Sequence, residues 1–174
     1  NDGSNDAYDG GLDLSGFPNF SSATTEEGGR EIVIGPATIG AVQVTRKIFV
    51  PADESFARFL EIVHNPGASA AAFSVDVYTN LGSDGDEEFV RTSSGDAAFT
   101  TADDWIITDD GSGGDPTLIH VVGGPGGAQR PSSVSFPSWG DEIRYAWALT
   151  IGPGETQIVM HFASQNPNTA TALA

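Results

Sequence analysis

The residues whose types and spacing could do chemistry begin at the start of the chain. Asp2, Ser4 and Asp6 set oxygen-bearing side chains at alternate positions of a glycine-containing segment, with Asp9 and Asp13 within reach. A hard cation such as calcium, wrapped by a loop, needs oxygen ligands in that kind of spacing. The match to a helix-flanked calcium loop is partial, since Ala7 stands where the turn glycine belongs and Asp13 closes the loop in place of Glu. Residues 84–88 and 109–115 form two more acidic loops, although Asp and Gly also suit turns that hold no metal. The expectation is no cofactor, or calcium held by Asp2, Asp6, Asp9 and Asp13.

Other chemistry is thinner. His64, His120 and His161 all fall in expected strands, but no HxH or HExxH spacing joins them, so hydrogen-bonded histidines near the sheet surface are expected over a shared metal site. A GxSxG elbow and an SxxK element are both absent, which removes the common serine-hydrolase signatures. The abundance of carboxylates singles out no acid/base pair. GGPGG does not lead from a strand into a helix, as a phosphate cradle would. Of the three tryptophans, Trp147 lies on an apolar strand face and Trp105 opens an apolar run. Trp139, in FPSWGD, is the one placed to meet a ligand such as a glycan. These readings predict a protein that is not an enzyme.

Charge narrows the partners. The 174 residues carry 24 acidic and 7 basic side chains, a net charge of −17, with Lys47 the sole lysine. Nucleic acid is excluded as an expected partner, because phosphate binding needs basic surface. No apolar run approaches the length of a membrane span. Cysteine is absent, so disulfides and thiolate metal sites are excluded.

The elements that must position these groups read as strands. Residues 142–151 alternate strictly, with Ile143, Tyr145, Trp147, Leu149 and Ile151 on one face. Gly152-Pro153-Gly154 supplies the fixed and the permissive φ of a type II turn. Beyond it, Ile158, Met160 and Phe162 mark the expected core face of the next strand. Further strands are expected at 31–35, 41–51, 55–67, 71–80, 89–93, 100–110, 117–122 and 134–136, punctuated by Gly, Pro, Asn and Asp. In 41–51, Arg46 interrupts the apolar face of Val42, Val44 and Ile48, where it needs a partner or a route to water. In 55–67, apolar residues on both faces suggest a central strand covered on both sides. No helix-length periodic stretch with caps occurs. The expected fold is a single all-β domain over 1–174, an antiparallel two-sheet β-sandwich, immunoglobulin-like or jelly-roll-like, of about ten strands.

The segments RKIFVP, FARFLEIVHNP, NLGSDG, SGDAAFTTADDW and PGETQIVMHF, with DAYDGGLDLSG at the start, resemble a β-sandwich domain of large secreted or surface-attached bacterial proteins. The resemblance covers most of the chain and brings no established activity and no catalytic residues. It implies an exported, extracellular or cell-surface protein with an adhesive or structural role. The expected function is accordingly self-association or docking to surface proteins. Strand addition would join filament subunits, with 1–17 as donor through Leu12, Leu14 and Phe17, and the tail 166–174 as second choice. A carbohydrate-binding module is the alternative.

Overall fold

The computed structural model describes residues 7–8, 10–82, 87–111, 114–136 and 141–174. Within them lie the strands β1 (Asp13–Leu14), β2 (Thr24–Glu26), β3 (Glu31–Ile39), β4 (Val42–Phe49), β5 (Phe56–His64) and β6 (Ala71–Asn80). β7 (Glu87–Thr92), β8 (Trp105–Asp110), β9 (Thr117–Val121), β10 (Ser133–Ser135), β11 (Glu142–Ile151) and β12 (Thr156–Asn166) follow, with a terminal helical turn α1 (Thr169–Ala172). They form two antiparallel sheets, a small one ordered β1-β6-β11-β10 and a large one ordered β2-β3-β4-β5-β12-β9-β8-β7. The two-sheet sandwich is therefore as expected, with twelve strands among the described residues.

Alternation builds the core. Ile143, Tyr145, Trp147, Leu149 and Ile151 of β11 are all buried, as are Val75 and Val77 of β6 beside them. They meet Val42 and Val44 of β4, Phe59 and Val63 of β5 and Val159 of β12 from the large sheet. Strand β12 corrects the sequence reading. Its inward side is Val159, His161 and Ala163, all buried, while Ile158 and Met160 are 52 % and 53 % exposed. Pairing fixes this register, since Val159 sits opposite Glu61 and His161 opposite Phe59, and a one-residue phase change moves every side chain to the other face.

One corner between the sheets and one bulge within the large sheet depend on particular residues. Gly154 takes φ 70°, as the turn between β11 and β12 requires. Asn65, 1 % exposed, braces that turn: its Nδ2 donates to the carbonyls of Ile151 (2.9 Å), Gly152 (3.1 Å) and Ser69 (2.8 Å), and its Oδ1 accepts from Gly67 N (2.9 Å). Asn65→Ala strands these backbone groups and is expected to cost about 2 kcal/mol in urea unfolding. At Gly35, expected to end a strand, β3 instead continues through a bulge. Gly35 has φ 106°, and a Cβ there would lie 2.8 Å from the Val44 carbonyl oxygen, so only glycine fits.

Candidate functional site

Three neighbouring strands of the large sheet turn polar side chains inward. Arg46 of β4 stands directly across from Glu61 of β5, and its Nε lies 3.0 Å from Glu61 Oε1. The same carboxylate oxygen accepts from His161 Nε2 at 3.2 Å. Phe59 stacks parallel on the His161 ring, with centroids 4.8 Å apart, and the Arg46 guanidinium lies 5.0 Å from the centroid of the Phe59 ring. Arg46 is 5 % exposed, and Glu61 and His161 are fully buried.

From His161 a string of contacts crosses the core. The Tyr145 hydroxyl lies 3.4 Å from both His161 Nδ1 and His120 Nδ1, and the Tyr8 hydroxyl lies 3.5 Å from His120 Nε2. One assignment of protons satisfies each link once. Tyr8 donates to His120, His120 to Tyr145, Tyr145 to His161, and His161 Nε2–H to the carboxylate that Arg46 fixes. Both imidazoles are then neutral. Burial first, and His161 nearby second, push His120 down to about 3. Burial likewise lowers His161, against the opposing pull of Glu61. Burial raises the Tyr145 hydroxyl.

Arg46 also reaches the outside of this network. The large sheet has twice as many strands as the small one, so its β2–β3 end overhangs. Ile32, on the inward side of β3, is left 43 % exposed. A strap of residues 15–23 runs from β1 at the edge of the small sheet to β2 at the edge of the large one. Beneath it opens a cleft of about 770 Å³ with Ile34 and Arg46 on its floor and Phe17 and Phe20 in the strap. The two phenyl rings are 5.5 Å apart and tilted by 37°, and Phe20 is 41 % exposed. Nη2 of Arg46 is buried without a hydrogen-bond partner. The cleft thus brings two phenyl rings and an arginine together, a combination suited to a ligand rich in oxygen acceptors.

Among the residues expected to act, Asp2, Asp6, Asp9 and Trp139 lie outside the described residues. Asp13 is exposed in β1, opposite Tyr78, and no cluster of three or more metal-ligating side chains occurs among the described residues. Leu12 and Leu14 are buried in the chain's own core, with Leu14 opposite Val77 of β6. The structure uses these leucines within the molecule instead of offering them to a neighbour, and Phe17 lines the cleft. The histidines do not converge as a trio. His120 and His161 are in the core, not near the surface, and His64 is on the outer face beside Thr156 (3.1 Å). Sequence reasoning flagged Arg46 but missed Glu61, whose signal is its place between Phe59 and Val63 on an apolar face.

No protein-family model matches the chain, and neither does any curated protein. Solved structures do share its fold. A polysaccharide lyase superposes with a TM-score of 0.52 at 13 % identity over 85 % of this chain, which spans only 23 % of the lyase. A galactose mutarotase-like protein from Lactobacillus casei ATCC 334 gives 0.51 at 9 % identity, covering 89 % of this chain and 73 % of that one. A protein from Escherichia coli K12 named for aldose 1-epimerase activity gives 0.51 at 10 % identity, covering 94 % and 81 %. The likeness is one of fold. It corrects the expectation that the chain is not an enzyme, which rested on missing motifs: chains named for enzymatic activities share this architecture, so a missing nucleophile elbow excludes nothing.

Proposed function

We propose that this chain recognises a saccharide in the cleft beneath the strap 15–23, in keeping with the carbohydrate reading of the sequence. One observation carries the proposal: Phe17, Phe20 and Arg46 line one cleft, and the buried Nη2 of that arginine has no protein acceptor. Sugars present apolar C–H faces to aromatic rings and acceptor oxygens to guanidinium donors, and ligand sites combine the two in this way. The solved structures of the same fold add support, since their names refer to galactose, aldose and polysaccharide. The extracellular setting belongs to the proposal, as the place where such a ligand would be met.

Glu61 and His161 act here as positioning residues. They hold Arg46 from behind, sealed from solvent, so the guanidinium keeps one orientation whether or not the cleft is filled.

Glycan-array screening followed by isothermal titration tests the reading. Phe20→Ala removes an exposed ring and leaves the core intact, and is expected to weaken saccharide binding about tenfold, by loss of roughly 50 Å² or more of apolar contact. No binding of the chain to any saccharide, or affinity unchanged in Phe20→Ala, would overturn it.

A further inference from the structure

Over β4, β5 and β12 the outer face of the large sheet carries no carboxylate. On β4, β5 and β12, the outward positions run in register as rows: Thr45–Ile62–Ile158 and Lys47–Leu60–Met160 are two of them. None of the outward positions on these three strands is Asp or Glu, in a chain with 24 acidic residues. The outer face of the small sheet is different, with Asp13, Asp76 and Glu142 at outward positions. At the edge of the acid-free face, Glu31 and Glu26 are already engaged, Glu31 by Arg58 (2.6 Å) and Lys47 (3.5 Å), and Glu26 by Lys47 (2.5 Å). Ile158 and Met160 stand more than half exposed at the β12 end of these rows. At its β8–β9 end, the same side of the sheet is covered by the chain's own terminus, where Ala172 and Leu173 lie against Trp105, Ile107, Ile119 and Val121.

We infer that this face is the surface through which two copies of the chain pair, large sheet against large sheet. Charge selects the occupant. At a net charge of −17, two copies repel over most approaches, and this apolar, acid-free face is where they can meet without setting carboxylates against each other. A two-fold axis through the face lets the same rows meet themselves. Size permits it: three strands and one neighbour at about 4.8 Å spacing, each about nine residues long at about 3.3 Å, present roughly 600 Å². Pairing buries roughly twice that, above the ~1,000 Å² a specific interface needs. The aligned packing of sheet on sheet then extends the two layers of each copy into four. This use of the outer face is independent of the cleft, which opens on the inward side.

Sedimentation equilibrium of the full chain, from about 1 to 200 μM, tests the inference. The expected result is a monomer–dimer equilibrium that tightens when sodium chloride rises from 50 to 500 mM, because salt screens the residual repulsion of two acidic copies. Met160→Glu and Ile158→Glu change exposed side chains and are expected to raise the dissociation constant at least tenfold. Unaltered circular dichroism and melting midpoint at 1 μM would show these variants folded. Ala148→Glu, exposed on the outer face of the small sheet, is expected to leave the dimer unchanged. A chain that stays monomeric at 200 μM in both salts overturns the inference. A dimer that persists in Met160→Glu, or dissociates in Ala148→Glu, overturns it as well.

Discussion

Glu61→Ala is expected to lower the unfolding free energy by about 3–5 kcal/mol, more than most single changes in a domain of this size. The carboxylate is fully buried and one of its oxygens serves both Arg46 Nε at 3.0 Å and His161 Nε2 at 3.2 Å. Removing it leaves a guanidinium that is only 5 % exposed with no counter-charge. An orphaned buried charge costs more than the pair contributes, since water is not there to replace the lost partner. The double variant Arg46→Met with Glu61→Leu removes both charges and keeps the volume, and is expected to recover most of that loss. Urea unfolding of the two single variants and the double variant gives the coupling through a double-mutant cycle. Losses that simply add would show that the pair is not a unit. The double variant should also lose the saccharide affinity proposed for the cleft while remaining folded, separating the role of Arg46 in binding from its role in stability.

The same pair shows how far the sequence could be read. Strand positions, the two-sheet sandwich and the burial of β11 follow from period-two alternation and from turn residues, which are local signals. Arg46 was legible as an anomaly because it breaks an apolar face of its own strand. Its partner was not, because Glu61 is fifteen residues on in another strand, and only the antiparallel register of β4 and β5 brings the two together. The strand β12 was misphased for a related reason. Ile158, Met160 and Phe162 together are more apolar than the alternate set Gln157, Val159, His161 and Ala163, so hydropathy points the wrong side inward. What reverses it is tertiary: His161 finds a carboxylate, a hydroxyl and a parallel ring inside the sandwich, which together compensate its burial. The apolar residues left outside are those of the proposed pairing face. The cleft was likewise hidden, since it arises from the unequal width of the two sheets and not from any motif.

Lowering the pH from 7 to 5 is expected to destabilise the fold by about 2 kcal/mol through His120 alone, reaching roughly 3 kcal/mol by pH 4. Burial and the adjacent His161 depress His120 to about 3, whereas an unfolded histidine titrates near 6.5. Below about 6.5 the unfolded chain therefore binds a proton that the folded chain refuses. The stability from this group is complete above that pH and is lost as pH falls towards the folded value. His161, also lowered by burial though opposed by Glu61, contributes in the same direction. Among the described residues, the hydrogen-bond partners of His120 are the uncharged hydroxyls of Tyr8 and Tyr145, which do not offset this. Asp103 acts in a lower window: burial raises it, but the backbone N–H groups of Thr100 and Ser94 and the Thr100 hydroxyl outweigh that and hold it at about 2. Its share is lost only below about pH 4. Urea midpoints measured at half-unit steps from pH 7 to 4.5 thus read the histidines. His120→Phe, which fills the site without a titrating group, is expected to be less stable at pH 7, where it removes one of the two ring-nitrogen partners of the Tyr145 hydroxyl, and to show a shallower acid slope. A slope unchanged in that variant would mean that His120 takes up its proton in the folded chain, and that the neutral relay from Tyr8 to Glu61 is not the state of the core.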